Sequence, residues 1–323
     1  MNKPLAIIAG EPNSISSEII FKTWKERKKF IRKPFFIIGS FYLLNLQKKK
    51  LNLKIKLRQI NDNFNLNDFK SSELLIYNID YYQKKTFEKI STKSNRYIYK
   101  CFDVALKFAK KKKILGFVNC PISKETLFGK KHQGITEFLA KKSGSNGNEV
   151  MLIYNKNISV SPITTHISLR NVSSNINYSV IVKKVETINK FYKSVFKKEP
   201  NIAILGLNPH NYSTTKKNDE KKIISKSIKI LLRKKIKVLG PISPDSSFAI
   251  SSKFKFDVIV GMYHDQVLTP FKALYKYDAI NITLGLPFIR ISPDHGVAEN
   301  IVGKNIADPK SLIESIKFFN NIN

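Results

Sequence analysis

Apolar residues recur along the chain in short, dense blocks, with Lys-rich amphipathic stretches between them. Blocks of that length suit strands buried on both faces. They predict strands at 5–9, 35–38, 74–77, 114–118, 150–154, 202–205, 237–239, 258–260 and 279–283. Helix-length segments lie between several of them, at 97–112, 179–196 and 219–235. In the second of these, Val182, Val185, Ile188 and Tyr192 keep close to a helical period, with lysines on the other face. Strand–helix alternation of this kind predicts an α/β protein with mostly parallel strands. No internal repeat or low-complexity linker breaks the pattern, so two lobes would be interleaved rather than strung in series.

Composition changes this picture little. A chain of 323 residues has room for two lobes of ordinary size. Hydrophobic residues make up 42% and aromatics 11%, which excludes a disordered chain. No unbroken apolar run approaches the ~18 residues of a membrane span, and no membrane partner is expected. Leu5-Ala6-Ile7-Ile8-Ala9 is too short for a secretory signal and fits a first buried strand. Cys101 and Cys120 give no disulfide framework, so a cytoplasmic location is expected.

Charge raises one further class. The formal net charge is +33, and Lys and Arg gain affinity for nucleic acid by displacing counterions from phosphates. The excess is nearly all Lys, in scattered runs such as Lys48-Lys49-Lys50 and Lys234-Lys235. No zinc-finger spacing, RNP-like aromatic motif or basic heptad helix accompanies it. Compositional bias is the simpler account, and nucleic acid is not an expected partner; a non-catalytic, basic nucleic-acid-binding protein is the rival from another class. A positive field would still draw in an anionic substrate.

The polar motifs fall just after predicted strands: Gly10-Glu11-Pro12-Asn13, Asn119-Cys120-Pro121-Ile122-Ser123-Lys124, Asn208-Pro209-His210 and Tyr263-His264-Asp265-Gln266. In open α/β sheets, ligands bind beyond the carboxyl ends of the strands, so these motifs suggest a common cleft. Of five histidines, His166, His210 and His264 share this kind of context. Three neutral imidazoles suit Zn²⁺ and similar divalent ions and leave a coordination position for substrate. Spacing alone supports this weakly, since no HExxH-type motif is present, and each could be an ordinary loop histidine. Asp265 and Asp245 are the candidate carboxylates, as general base or as supports for an imidazole.

Six segments, in order, resemble the hallmark blocks of the 4-hydroxythreonine-4-phosphate dehydrogenase family. They are Gly10-Glu11-Pro12; Pro121-Ile122-Ser123-Lys124 with Thr136-Glu137-Phe138-Leu139-Ala140; Thr164-Thr165-His166-Ile167-Ser168-Leu169-Arg170; Gly206-Leu207-Asn208-Pro209-His210; Gly240-Pro241 with Pro244-Asp245; and Met262-Tyr263-His264-Asp265-Gln266 running on to Asn281-Ile282-Thr283-Leu284-Gly285 and Asp294-His295-Gly296. The resemblance implies a two-lobed fold similar to isocitrate and isopropylmalate dehydrogenases, with approximate lobes 1–125 plus 285–323 and 126–284 and an interlobe active site. It implies a homodimer that shares a divalent metal (Zn, Mg, Co or Mn) among His166, His210 and His264, one of them contributed across the interface. It further implies substrate contacts from Thr136, Lys272, Asn281 and Arg290, and NAD, or alternatively NADP, as cofactor. The implied reaction oxidises 4-phosphohydroxy-L-threonine to a β-keto acid that loses carbon dioxide, in vitamin B6 biosynthesis. A paralogue acting on D-threonate or D-erythronate 4-phosphate is the alternative.

Two departures accompany the resemblance. The family pattern Gly-His-Thr-Glu reads Gly134-Ile135-Thr136-Glu137 here, with His132 three residues out of register. The opening motif carries Ser16 and Ser17 where the family is richer in glycine, and these serines are expected to cap the following helix.

Overall fold

The computed structural model describes residues 3–129, 134–211, 220–276, 278–320 and 322. It divides into two compact units, Met1–Ile135 with Phe288–Asn323, and Thr136–Pro287. Twelve strands are present among the described residues: β1 (Leu5–Ile8), β2 (Phe35–Gly39), β3 (Leu57–Ile60), β4 (Leu74–Asn78), β5 (Gly116–Asn119), β6 (Val150–Tyr154), β7 (Ser159–Thr164), β8 (Ile202–Leu205), β9 (Val238–Ile242), β10 (Val258–Tyr263), β11 (Ile280–Leu284) and β12 (Ile289–Pro293).

In the first unit the strand order is β3-β4-β2-β1-β5-β12, and every pairing is parallel. Parallel strands need crossovers that lay helices on the sheet faces, which is why β1 and β2 are unbroken apolar runs. Both are buried at every position. The second unit runs β11-β6-β7-β10-β8-β9. Its pairings are antiparallel between β11, β6 and β7, and parallel from β7 through β10 and β8 to β9. Its core gathers Met151, Val160, Leu205, Ile259, Val267 and Phe271. The architecture is the expected mixed α/β fold with mostly parallel strands.

Three strands lack the apolar block that marks the others. β3 is Leu-Arg-Gln-Ile, half-exposed at the sheet edge. β12 alternates Ile289, Arg290 and Ile291. β7 reads Ser-Val-Ser-Pro-Ile-Thr yet is buried throughout. Its hydroxyls are satisfied internally: Ser161 Oγ donates to the Met151 carbonyl at 2.7 Å, and Ser159 Oγ accepts from Tyr192 at 2.9 Å. Its ladder to β6 ends at Val160, before Pro162, which has no N–H to offer.

The predicted helices form with shifted ends. They are Asn95–Lys110, Tyr178–Phe191 followed by a wider turn at Tyr192–Phe196, and Ser225–Arg233. The start of the third, at Asp219, lies outside the described residues, as does His132. No helix among the described residues is long and apolar enough to cross a membrane.

Candidate functional site

Two histidines meet because two parallel strands lie side by side. The β7–β10 register sets Thr164 opposite Tyr263. His166 follows just beyond β7, and His264 opens the helix His264–Tyr275 directly after β10. Their rings come to 5.9 Å between centroids at 41°. A hydrogen bond from Thr164 Oγ1 to the Met262 carbonyl, 2.8 Å, ties the two strand ends together.

Each imidazole faces a carboxylate through Nδ1. His264 Nδ1 is 2.7 Å from Asp265 Oδ1, and His166 Nδ1 is 3.7 Å from Glu137 Oε1. With Asp265 accepting the Nδ1 proton, the lone pair of His264 sits on Nε2, the arrangement in which a carboxylate sets tautomer and ring orientation for a metal-binding histidine. Nothing along the chain links Glu137 to His166, because only folding brings the two together.

His210 stands elsewhere, a few residues past β8, with its side chain 78% exposed. Its backbone is left-handed, φ 52° and ψ 21°, a conformation uncommon outside glycine and asparagine. Its Nδ1 lies 3.7 Å from Asp245 Oδ2. Among the described residues no three His, Cys, Asp or Glu side chains form a ready metal-binding group. The fold thus brings together His166, His264, Asp265 and Glu137, and it pairs His210 with Asp245.

Gln266 braces this end of the sheet. Its Oε1 accepts from the Met262 N–H at 2.7 Å, and its Nε2 donates to the Gly206 carbonyl at 2.8 Å, joining β10 to the loop after β8. Gly206 permits the close approach that follows, since a Cβ there would meet Asn211 Oδ1 at 2.0 Å.

Of the expected substrate contacts, Thr136 is buried, and its Oγ1 is 3.3 Å from Thr283 Oγ1 on β11. Asn281 shares the face of β11 that carries Thr283, and its Oδ1 is buried without a partner among the described residues. Lys272 is half-buried on the helix His264–Tyr275. Arg290 belongs to the first unit, on β12, where it is only 2% exposed and donates from Nε to Asn119 Oδ1 at 2.7 Å. Ile135 is buried, so the position where the family carries histidine is apolar here.

The opening motif corrects one expectation. The helix Ser16–Glu26 begins at Ser16, and its N-cap, Ile15, makes no side-chain bond. Ser16 and Ser17 are therefore inside the first turn, and the oxygen that accepts from the Ser16 N–H is Ser14 Oγ, at 3.1 Å. Just before it, Gly10 has φ +76° and leaves no room for a Cβ, which would lie 2.4 Å from the Pro121 carbonyl oxygen. Glu11 donates its N–H to that same oxygen. Burial pushes the Glu11 carboxyl above the usual range, against hydrogen bonds from the Asn13 N–H and Ser94 Oγ that favour its charged form.

Comparison with known proteins supplies the remaining context. The family model described as "Pyridoxal phosphate biosynthetic protein PdxA" matches residues 31–319. A 4-hydroxythreonine-4-phosphate dehydrogenase from Sulfurihydrogenibium sp. is 38% identical over 318 residues, 97% of this chain and 96% of that protein. A D-threonate 4-phosphate dehydrogenase from Pectobacterium atrosepticum is 36% identical over 222 residues, covering 68% of each chain. The crystal structure of 4-hydroxythreonine-4-phosphate dehydrogenase from Klebsiella pneumoniae superposes with a TM-score of 0.85 at 29% identity, covering 98% of this chain and 96% of the other.

Proposed function

Because the chain belongs to the PdxA family of pyridoxal phosphate biosynthetic proteins, we propose that it oxidises 4-phosphohydroxy-L-threonine with a nicotinamide cofactor and a divalent metal. Its relatives are dehydrogenases, and the chain is an oxidoreductase. The observation that carries the finer reading is the His166–His264 pair with its Asp265 contact.

The donor set fits a borderline divalent ion such as Zn²⁺, since both ligands are imidazoles and one has its outer nitrogen held by a carboxylate. His166 and His264 would hold the ion, and His210 would complete the set from a second copy of the chain. The exposure of His210, and of Ile167 and Leu169 beside His166, suits such an assembly. When bound, the ion would act as a Lewis acid that lowers the pKa of the substrate's secondary hydroxyl. NAD, or NADP, would supply the hydride acceptor. Among the described residues, the buried ring nitrogens of His295 find no partner beyond the residue's own backbone, which would leave hydrogen-bonding capacity for such a cofactor.

The chain's own groups bind and orient. Asp265 contacts the His264 ring and Asp245 stands near His210, and either carboxylate would serve as the base. Asn281 Oδ1 can accept from a hydroxyl or ammonium of the substrate. Lys272 offers a point charge to phosphate or carboxylate, and Arg290, anchored on Asn119, offers a planar fork. Oxidation leaves a β-keto acid, which releases carbon dioxide and yields 3-amino-2-oxopropyl phosphate. The site would belong to a homodimeric cytoplasmic enzyme.

The buried Ile135 and the Pectobacterium relative favour a second reading, a sugar-acid phosphate as substrate. Comparing kcat/KM for 4-phosphohydroxy-L-threonine with D-threonate and D-erythronate 4-phosphates separates the two. The aminated substrate is expected to lead, and preference for either sugar-acid phosphate would overturn the assignment.

A further inference from the structure

The first unit carries a cavity of about 500 Å³ at the end of its sheet opposite to the strand carboxyl ends. Lys3 and Pro4 lead into β1, Lys113 precedes β5, and the segment from Phe64 to Phe69 precedes β4. These strands are parallel to β2 or to one another, so their amino ends share one edge. Its size falls within the range of small-molecule sites, ~300–1,000 Å³.

The wall is aromatic and fixed. Phe64 packs on Phe36 at 4.9 Å and on Phe108 at 5.5 Å between centroids, and Phe69 packs on Phe64 at 6.2 Å. Phe36 and Phe108 are fully buried, so the rings facing the cavity rest on the core. Leu66 at the mouth is 47% exposed. The polar contribution comes from Asn65 and Asn67 and from two cations, Lys3 and Lys113. Lys113 Nζ lies 5.8 Å from the Phe64 ring centroid and donates one of its three protons to the Asp62 backbone carbonyl at 2.6 Å, and Lys3 lines the same space. The neighbouring carboxylates are already engaged: Asp62 accepts from Lys107 at 2.7 Å and from Tyr77 at 2.8 Å, Asp68 accepts from Arg58 at 3.1 Å and from the Asn65 N–H at 2.9 Å, and no acidic residue lines the cavity among the described residues.

We propose that this cavity binds a planar aromatic anion, its ring against Phe64 and Phe69 and its carboxylate or phosphate between Lys3 and Lys113. Apolar walls supply the burial, while two ammonium groups without a lining carboxylate select negative charge over neutral analogues.

The test is calorimetric titration of the full chain with 2-naphthoate and with uncharged 2-naphthylmethanol. Naphthoate is expected to bind at one site per chain, about tenfold or more tighter than the alcohol. Leu66→Glu, at an exposed position, and Lys3→Glu should each weaken naphthoate by about tenfold or more while leaving the thermal midpoint in place. Equal affinity for the two ligands, undiminished naphthoate binding in both variants, or no binding at millimolar naphthoate would each overturn the proposal.

Discussion

Asp265 touches His264 through a 2.7 Å contact that, in the proposed site, would set which ring nitrogen is left to bind, and at 78% exposure it adds little to stability as an ion pair. Its value lies in orientation. Asp265→Ala is therefore expected to leave the fold intact and to weaken Zn²⁺ binding by about 10–100-fold in a calorimetric titration. Unchanged affinity would reduce Asp265 to a solvated surface carboxylate. This pair is legible in the sequence because its members are adjacent. Glu137 beside His166 is not, since the two are distant along the chain and are joined only through the helix Ile135–Lys142 and the end of β7. Ile135 shows the opposite case: the missing histidine is plain from the residues, whereas the burial of the isoleucine comes only from the fold.

Strand order does at the level of elements what adjacency does for Asp265. β7, β10, β8 and β9 run parallel, so the segments bearing His166, His264, His210 and Asp245 all leave the same edge. Apolar blocks made β8 and β10 legible. β7 was not, because its serines, threonine and proline have the composition of a turn, and burial is tolerable only once Met151, Tyr192 and Met262 supply partners. Gln266 holds β10 to the loop after β8 through two buried backbone groups. Gln266→Leu would leave the Met262 N–H and the Gly206 carbonyl unsatisfied, at roughly 1–3 kcal/mol each. A destabilisation of about 3 kcal/mol is expected in urea unfolding, together with a raised KM for metal. A variant as stable as the parent would show that the brace is dispensable.

Across the whole chain, the lysine excess agrees with the proposed anionic substrate. The formal charge of +33 is distributed without a nucleic-acid motif, and a field of that sign favours the arrival of a phosphorylated, carboxylated substrate. The α/β class could be inferred from the alternation of blocks and amphipathic segments, because that pattern follows directly from burying parallel strands on both faces. The separate standing of His210 could not, because nothing in a linear pattern distinguishes a histidine aimed at its own site from one exposed at 78%. The most direct measurement is NADH formation by the full chain from 4-phosphohydroxy-L-threonine and NAD, followed with added Zn²⁺, Mg²⁺, Co²⁺ or Mn²⁺, with EDTA, and in His166→Ala and His264→Ala. Turnover should appear with metal, vanish with EDTA and return on metal addition, and each substitution should cut kcat/KM more than about a hundredfold without unfolding the protein. Full turnover in EDTA and in both variants would contradict the account.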